Sequence, residues 1–321
     1  MKSHQSPICN VCRNSNTRLL ATLLSEVDGR EYRAFACNSC GLIFADPIPE
    51  LSFETLQNIY GAGYTQEQRE PDEDPEALRV LRAATNRQMD IVEAHVSKGV
   101  ALNVGAMSGA AQVLQERGWK LRVVEASQYA SETARERWGF EVTVSRLEDY
   151  RCAPGTFDFI KLGHVIEHLA NPRRTLEGLS EMLRPNGVIL VDTDNAGGLR
   201  TRLELFVRKL LGERLSVGLV RKLTKKNLRK RYGRLIPPVH LYSFSEPSLV
   251  RLLTAVGLEV IHVWKPAWGD QTWFPITDQG GLSAVERAFV KLDQLGALFG
   301  SGDVIAVMAR KKPVEMPTAG A

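Results

Sequence analysis

Four cysteines near the start of the chain are spaced for metal binding. Cys9 and Cys12 form one CxxC pair, and Cys37 and Cys40 form a second pair after twenty-four intervening residues. Each CxxC turn directs two thiolates at one ion, and two turns complete a tetrahedral four-sulfur site without an open position for water. Such a site serves folding or docking rather than catalysis. The alternatives are a redox dithiol or four unrelated cysteines, and the lone Cys152 is expected to be a packed or surface thiol.

A glycine turn and a distant acid suggest a nucleoside site. The turn contains Gly105 and Gly109 and joins a predicted strand to a predicted helix, so its backbone and the helix N-terminus can approach a ligand. About twenty residues later the next strand ends in Glu125, whose carboxylate can accept hydrogen bonds from both ribose hydroxyls. A solvated strand end is the alternative for Glu125. Both features in one βαβ unit favour a nucleoside cofactor.

Two histidines and a glutamate follow the strand predicted over 157–163. His164, Glu167 and His168 would therefore lie at the carboxyl edge of a parallel sheet, where ligands bind. Glu167 or His168 can act as a general base, because His titrates near neutral pH. The alternative is that these side chains only hold the loop through hydrogen bonds. On a helical turn His164 and His168 would share one face and could bind a metal, but no third ligand is evident nearby.

Alternating strands and helices are predicted to position these residues. The pattern indicates right-handed βαβ units on a parallel sheet, that is, an α/β fold. The predicted strands cover 100–106, 120–127, 141–145, 157–163, 188–195, 259–264 and 303–312. The predicted helices cover 77–97, 108–118, 129–139, 172–187, 245–258 and 282–299.

Length and composition limit the class of protein. A chain of 321 residues predicts two domains or one decorated domain, and its 44% hydrophobic and 24% charged residues are typical of a soluble globular protein. The net charge of +4 is too small to require nucleic acid. Neither an uninterrupted apolar span nor a secretory signal is recognisable, so we expect a cytoplasmic protein.

Several segments together resemble class I S-adenosylmethionine-dependent methyltransferases that carry an N-terminal zinc ribbon. They are CNVC…CNSCGLIFADPIPE, ALNVGAMSGA, VVEAS, the block from Phe157 to Asn195, and PPVHLYSFSEPSLVRLLTAVGLEV. Members of this subgroup often modify sugars, glycans or natural products. The resemblance implies a Rossmann-like, mostly parallel and doubly wound sheet, S-adenosyl-L-methionine as cofactor, and a structural Zn²⁺.

The resemblance also assigns site residues. It places His240 and Tyr242 beside the acceptor pocket, where they would join His168 and Glu167 in orienting or deprotonating the acceptor; a packing role is the alternative for both. The residues that it assigns to the cofactor are Asn103, Gly105, Ala106, Gly109, Glu125, Ala126, Leu147, Gly163 and His164. Cys9, Cys12, Cys37 and Cys40 would hold the zinc.

Two positions depart from the family pattern. Asn103 stands where the family usually has an acid, and Met107 stands where it usually has a second glycine. The predicted function is transfer of a methyl group to an oxygen or carbon of a sugar, glycan or small metabolite. Because of these departures, a catalytically inactive scaffold or binding module with a structural zinc is the alternative, and a nucleic-acid methyltransferase is the third.

The predicted organisation is a zinc ribbon over 1–46, a connecting segment over 47–76, a methyltransferase domain over 77–312 and a disordered tail over 313–321. Within the domain, residues 196–235 form a basic helical insertion with thirteen Lys or Arg and two Glu. One helical face there carries an apolar stripe of Leu199, Leu203, Phe206, Val207, Leu210 and Leu211.

Three roles are open for this insertion. It can be a solvated cover whose stripe packs on the core, a surface for an anionic membrane or a diphosphate-linked acceptor, or a nucleic-acid surface. Few aromatic residues accompany the charges, so nucleic acid ranks last. The membrane role would place the protein at the inner face of the membrane.

Overall fold

The computed structural model of the protein describes residues 6–25, 27–60, 75–106, 109–203, 205–207, 209–210, 235–267 and 284–313. Residues 61–74 of the connecting segment, Met107, the greater part of the basic insertion and all of the predicted tail after Pro313 lie outside the described residues.

A seven-stranded sheet forms the centre of the molecule. Its strands are β4 (Val100–Val104), β5 (Lys120–Glu125), β6 (Val142–Val144), β7 (Phe157–Gly163), β8 (Leu183–Asp194), β10 (Leu258–Trp264) and β11 (Val304–Lys311). They are ordered β10-β11-β8-β7-β4-β5-β6, and β11 runs antiparallel to both of its neighbours. The strands from β8 to β6 are parallel. This mostly parallel sheet confirms the predicted α/β fold.

Helices connect and cover these strands. They are α1 (Phe53–Ile59), α2 (Pro75–Glu93), α3 (Gly109–Glu116), α4 (Gln128–Trp138), α5 (Pro172–Met182), α6 (Glu246–Ala255) and α7 (Ala284–Leu298). Local signals fix several ends: Ser127 caps the start of α4, and Gly139 ends it in the left-handed conformation with φ 66°. Since β4, β5, β7 and β8 are parallel and adjacent, their carboxyl ends meet at one edge of the sheet.

The helix predicted over 172–187 is shorter than expected. It ends at Met182, because Leu183 pairs with Phe157 and already belongs to β8. The Pro-Asn-Gly sequence that follows therefore makes an irregular start to a strand rather than a helix end. Asn186 takes a left-handed φ of 64°, and a Cβ on Gly187 would lie 2.9 Å from the Arg184 carbonyl oxygen. Sheet pairing overrides the local turn signal here.

A second, four-stranded antiparallel sheet carries the cysteines. It consists of β1 (Thr17–Leu24), β2 (Glu31–Cys37), β3 (Ile43–Asp46) and β9 (Tyr242–Ser243), in that order. The last strand comes from the distant end of the chain. The apolar residues of this sheet belong to one continuous core with those of the large sheet. The N-terminal region is thus built into the body of the protein.

The apolar stripe of the basic insertion is largely exposed where the structure describes it. Residues 199–203, 205–207 and 209–210 are helical. Leu203 is 42% exposed, Phe206 60% and Leu210 71%. The first of the three roles, in which the stripe packs on the core, therefore does not hold for these three side chains. Among the described helices, none has both the length and the apolar character needed to cross a bilayer.

Candidate active site

A hydrogen bond joins the glycine turn after β4 to Glu125 at the end of β5. Gly105 has a φ of 97°, and a Cβ built on it would meet nothing within 4 Å. The side-chain amide of Asn103 donates to the Gly105 carbonyl oxygen at 2.7 Å. Glu125 accepts from the backbone N–H of Ala106 at 2.8 Å and of Ser127 at 2.7 Å. The turn leaves open space, and each carboxylate oxygen keeps a lone pair for a further donor.

Helix α1 covers the turn that follows β5. Gln57 donates through its side-chain amide to the Ala126 carbonyl oxygen and accepts from the Gln128 N–H at 2.8 Å. The Ser127 hydroxyl donates to the carbonyl oxygen of Tyr60 at 2.7 Å. The connecting segment of the sequence analysis therefore contains one wall of the site. Its sequence carries no motif that announces this role.

Glu167 lies at the centre of a polar cluster after β7. It belongs to a short 3-10 turn, Ile166–His168, and is 1% exposed. One of its carboxylate oxygens lies 3.2 Å from Nδ1 of His164. Its backbone carbonyl oxygen accepts from the N–H of Leu241 at 2.8 Å. This backbone bond brings the loop that carries His240 to the carboxyl edge of the sheet.

His168 and His240 face each other in this cluster. Their rings pack edge to face, with centroids 4.7 Å apart and an interplanar angle of 79°. Nδ1 of His168 lies 2.9 Å from the Val239 carbonyl oxygen and 3.0 Å from the Tyr60 hydroxyl. Because a carbonyl oxygen can only accept, Nδ1 carries the proton and Nε2 keeps its lone pair. The predicted meeting of His168, His240 and Glu167 is thus seen in the structure.

A buried ion pair borders the neighbouring pocket. The Nζ atom of Lys161 donates to Asp192 at 2.6 Å and to Gln88 at 2.9 Å. Asn103, Gly163 and His164, all assigned to the cofactor by resemblance, line the same pocket as this pair. Lys161 and Asp192 are not among the site residues predicted from the sequence. The available signal was a charge in the middle of each of two apolar strand segments, FDFIKLG and VILVDTDN.

The four cysteines of the N-terminal sheet come together as predicted. The sulfur atoms of Cys9 and Cys40 lie 3.6 Å apart, and those of Cys12 and Cys37 lie 3.4 Å apart. A tetrahedral zinc with Zn–S bonds of about 2.3 Å requires sulfur spacings of roughly 3.7 Å. A hydrogen bond from Cys40 lowers the pKa of Cys9 to about 5, although burial opposes this shift. The four sulfurs therefore fit a metal ion.

A family model described as "Methyltransferase domain" matches residues 73–263, which is more than half of the chain. The protein belongs to this methyltransferase family. The match includes β4 to β8 and the histidine cluster, which consists of His164, Glu167, His168 and His240, and it does not favour an inactive scaffold. No curated protein matches the sequence.

Solved structures with a similar fold include other methyltransferases. A chain of the Haloferax volcanii complex that contains the Trm112 methyltransferase activator is 12% identical, with a TM-score of 0.50 over 78% of this chain and 99% of that one. A SAM-dependent methyltransferase from Archaeoglobus fulgidus is 14% identical (TM-score 0.47, 73% and 94% covered), and one from Mesorhizobium loti is 13% identical (0.45, 71% and 98%). At such low sequence identities, a structural likeness concerns the fold and not the function.

Burial and charge set the protonation of the methyltransferase's histidine cluster. Burial lowers the pKa of His164, but the hydrogen bond and charge of Glu167 outweigh it and raise that pKa to about 9. Burial raises the pKa of Glu167, yet His164 lowers it to about 2. Burial and the neighbouring His240 lower the pKa of His168 to about 4. At neutral pH the methyltransferase therefore holds a charged His164–Glu167 pair beside a neutral His168.

Burial also acts on the acid at the end of β5. It raises the pKa of Glu125, and the N–H groups of Ser127 and Ala106 oppose this shift.

The other residues of the predicted cofactor site lie in different surroundings. Gly109 lies inside the packing of α3 on α2, because a Cβ there would lie 3.1 Å from Leu81. Leu147 is buried in the core. Met107, the larger departure from the family pattern, lies outside the described residues.

Tyr242 does not belong to the acceptor side of the site. It is 1% exposed, and its hydroxyl accepts from Asn10 at 2.8 Å and donates to the Ala170 carbonyl oxygen at 3.1 Å. Burial raises its pKa to about 12. The residue pairs with Phe44 in the cysteine-bearing sheet, so its side chain joins that sheet to the methyltransferase domain. The expectation that Tyr242 orients the acceptor is corrected accordingly.

Proposed function

We propose that this methyltransferase moves the methyl group of S-adenosyl-L-methionine to an oxygen or carbon of a sugar, glycan or other small metabolite. One observation carries the proposal: Gly105 and Glu125 lie at the same sheet edge as His168 and His240, where they could form a cradle for a nucleoside. A donor bound in the cradle would share this edge with the histidines.

The chain's residues would bind the donor through backbone and carboxylate. Gly105 allows close approach, and Glu125 offers lone pairs to two ribose hydroxyls. When bound, S-adenosyl-L-methionine supplies a methyl group that its sulfonium already makes electrophilic. The protein then has to align donor and acceptor, and alignment alone can contribute about 7–11 kcal/mol to lowering the barrier. Gln57 and Tyr60, which cover the turn after β5, support the exclusion of water from this edge.

The histidine cluster would orient the acceptor and take its proton. Nε2 of His168 has a lone pair, and the pKa of about 4 keeps His168 neutral at physiological pH. A neutral imidazole can accept a hydrogen bond from an acceptor hydroxyl or an activated carbon acid as the methyl transfers. Glu167 fixes His164 and, through the backbone bond to Leu241, the loop of His240.

For the four cysteines we propose a structural zinc, as in the ribbon subgroup that the sequence resembles. Cys9, Cys12, Cys37 and Cys40 would complete its coordination, so the ion would have no position for substrate. Its role would be to hold the small sheet against the methyltransferase domain.

For the acceptor we propose an anionic or diphosphate-linked molecule, captured near an anionic membrane surface. Two features support this proposal: the excess of Lys and Arg over 196–235, and the exposure of Leu203 and Phe206 beside them. Basic residues that flank exposed apolar side chains are typical of helices at membrane interfaces. Flotation with anionic vesicles, with neutral vesicles as the control, tests the membrane surface. A separate binding assay with RNA tests the nucleic-acid alternative.

Calorimetric titration tests the central proposal. We expect the purified protein to bind both S-adenosylmethionine and S-adenosylhomocysteine with one site per chain. Incubation with isotopically labelled donor and a panel of sugars, nucleotide sugars and phenols should transfer label to at least one of them. Binding of neither nucleoside would refute the methyltransferase proposal for this chain.

A further inference from the structure

Three side chains that can act as metal ligands meet at the carboxyl edge of the large sheet. One ligand atom from each of Glu167, His168 and His240 lies within 4.8 Å of the other two. No third ligand is evident in the sequence near His164 and His168, because His240 follows more than seventy residues later in the chain. The backbone bond from Leu241 to Glu167 and the pair of bonds between Ile236 and His240 bring it there.

Two of the three side chains have a ligand atom that is available to a metal ion. Nδ1 of His168 donates to the Val239 carbonyl oxygen, so Nε2 presents its lone pair. Metal-binding histidines are usually oriented in this way, by a carbonyl or carboxylate on the second nitrogen. Within the described part of the chain, Oε2 of Glu167 is buried and has no hydrogen-bond partner. A buried carboxylate oxygen without a partner is costly, and a cation would satisfy it.

We infer that Glu167, His168 and His240 form a binding site for a divalent first-row transition metal ion, such as Mn²⁺, Fe²⁺, Co²⁺ or Zn²⁺. Two imidazoles and one carboxylate suit these ions, and three protein ligands leave coordination positions open for water or substrate. This distinguishes the site from the cysteine cluster, in which four sulfurs would close the coordination.

A metal ion at this site would favour a particular class of acceptor. This part of the inference rests on the proposed methyl transfer. With the ion bound, Nε2 of His168 would bind the metal and would no longer take the acceptor proton. An acceptor hydroxyl that binds the ion would become more acidic, as bound water does, and would release its proton to solvent. The resulting oxygen forms a bond to the donor methyl carbon while the carbon–sulfur bond breaks, and the sulfonium becomes the neutral thioether. The favoured acceptors are hydroxyls with a second oxygen in chelating position, such as vicinal diols.

Manganese binding to the full-length protein tests the site. Mn²⁺ prefers oxygen and nitrogen ligands, so it discriminates against the cysteine cluster. We expect addition of protein to remove the electron paramagnetic resonance signal of free Mn²⁺ at about one ion per chain. Glu167→Gln and His240→Ala should each weaken binding by at least about tenfold, because even outer-shell changes at metal sites cost about 10–100-fold.

His262→Ala is the matched control, because His262 is an exposed histidine on β10 and its loss should leave Mn²⁺ affinity unchanged. Circular dichroism establishes that the variants fold; if Glu167→Gln does not, His240→Ala decides. The inference is wrong if the wild type takes up no Mn²⁺, Co²⁺ or Zn²⁺ beyond the cysteine-bound equivalent, or if His240→Ala binds as tightly as wild type. Metal binding without S-adenosylhomocysteine binding would keep the site and refute the proposed function.

Discussion

The cysteine cluster and the histidine cluster offer metal ligands in opposite ways. Cys9, Cys12, Cys37 and Cys40 come from two short turns of one small sheet, and their sulfurs are close enough to surround an ion completely. The histidine cluster draws Glu167 and His240 from distant parts of the chain and offers three ligands rather than four. Ligands from one sheet can build a closed, structural site, whereas ligands from separate elements at a sheet edge leave room for a substrate.

The largest effect is expected from a variant that breaks the cysteine cluster. Cys37→Ser should remove the bound metal, and since this sheet shares its core with the large sheet, we expect the midpoint of thermal unfolding to fall by roughly 10 °C. Elemental analysis and calorimetry measure both effects. Cys152→Ser is the control, because Cys152 lies apart from the cluster, and it should keep the metal. Retention of a full metal equivalent by Cys37→Ser would refute the four-sulfur site.

A second test concerns the buried pair beside the open edge. Lys161→Met leaves Asp192 with its charge buried and unpaired, which should cost about 3–5 kcal/mol in the free energy of unfolding. The double variant Lys161→Met/Asp192→Leu should recover most of this loss. Denaturant unfolding measures all three proteins. If Lys161→Met is as stable as the wild type, the ion pair contributes nothing to the free energy of unfolding.

A third test concerns the donor side of the same edge. Glu125→Ala should weaken S-adenosylhomocysteine binding by about 1.5–3 kcal/mol, roughly 10- to 150-fold, because two ribose hydroxyls lose a charged acceptor. Glu136→Ala changes an exposed acid on α4 and is the matched control. Calorimetry provides the affinities. If the affinity of Glu125→Ala is unaltered, the ribose binds elsewhere.

The smallest effect is expected at Tyr60. Tyr60→Phe removes one hydrogen bond to His168 but keeps the backbone carbonyl that Ser127 binds, so the cost should be about 1 kcal/mol. We expect a roughly fivefold lower kcat/KM for the acceptor, with S-adenosylhomocysteine affinity within about twofold of wild type. A large loss of cofactor affinity instead would show that Tyr60 serves the donor side.

The same contrast explains which parts could be predicted from sequence. The cysteine pairs, Gly105 and Glu125 have short, regular spacings or follow directly from the strand pattern, and the α/β sheet follows from the alternation itself. Tyr60 and the Lys161–Asp192 pair depend on tertiary contacts that no local pattern encodes. The helix end at Met182 was misjudged because strand pairing of Leu183 prevails over Pro-Asn-Gly. Tyr242 was misassigned because its neighbour His240 does reach the edge while its own side chain points into the small sheet's junction.

The fourth strand of the small sheet has a consequence for synthesis on the ribosome. β3 is complete after Asp46, but its partner Tyr242–Ser243 is made about 200 residues later. During that interval β3 has a bare edge, and an unpaired edge is a site for wrong pairing with other chains. The proposed zinc, bound by the cysteine turns that are translated first, would hold the sheet until the late strand arrives.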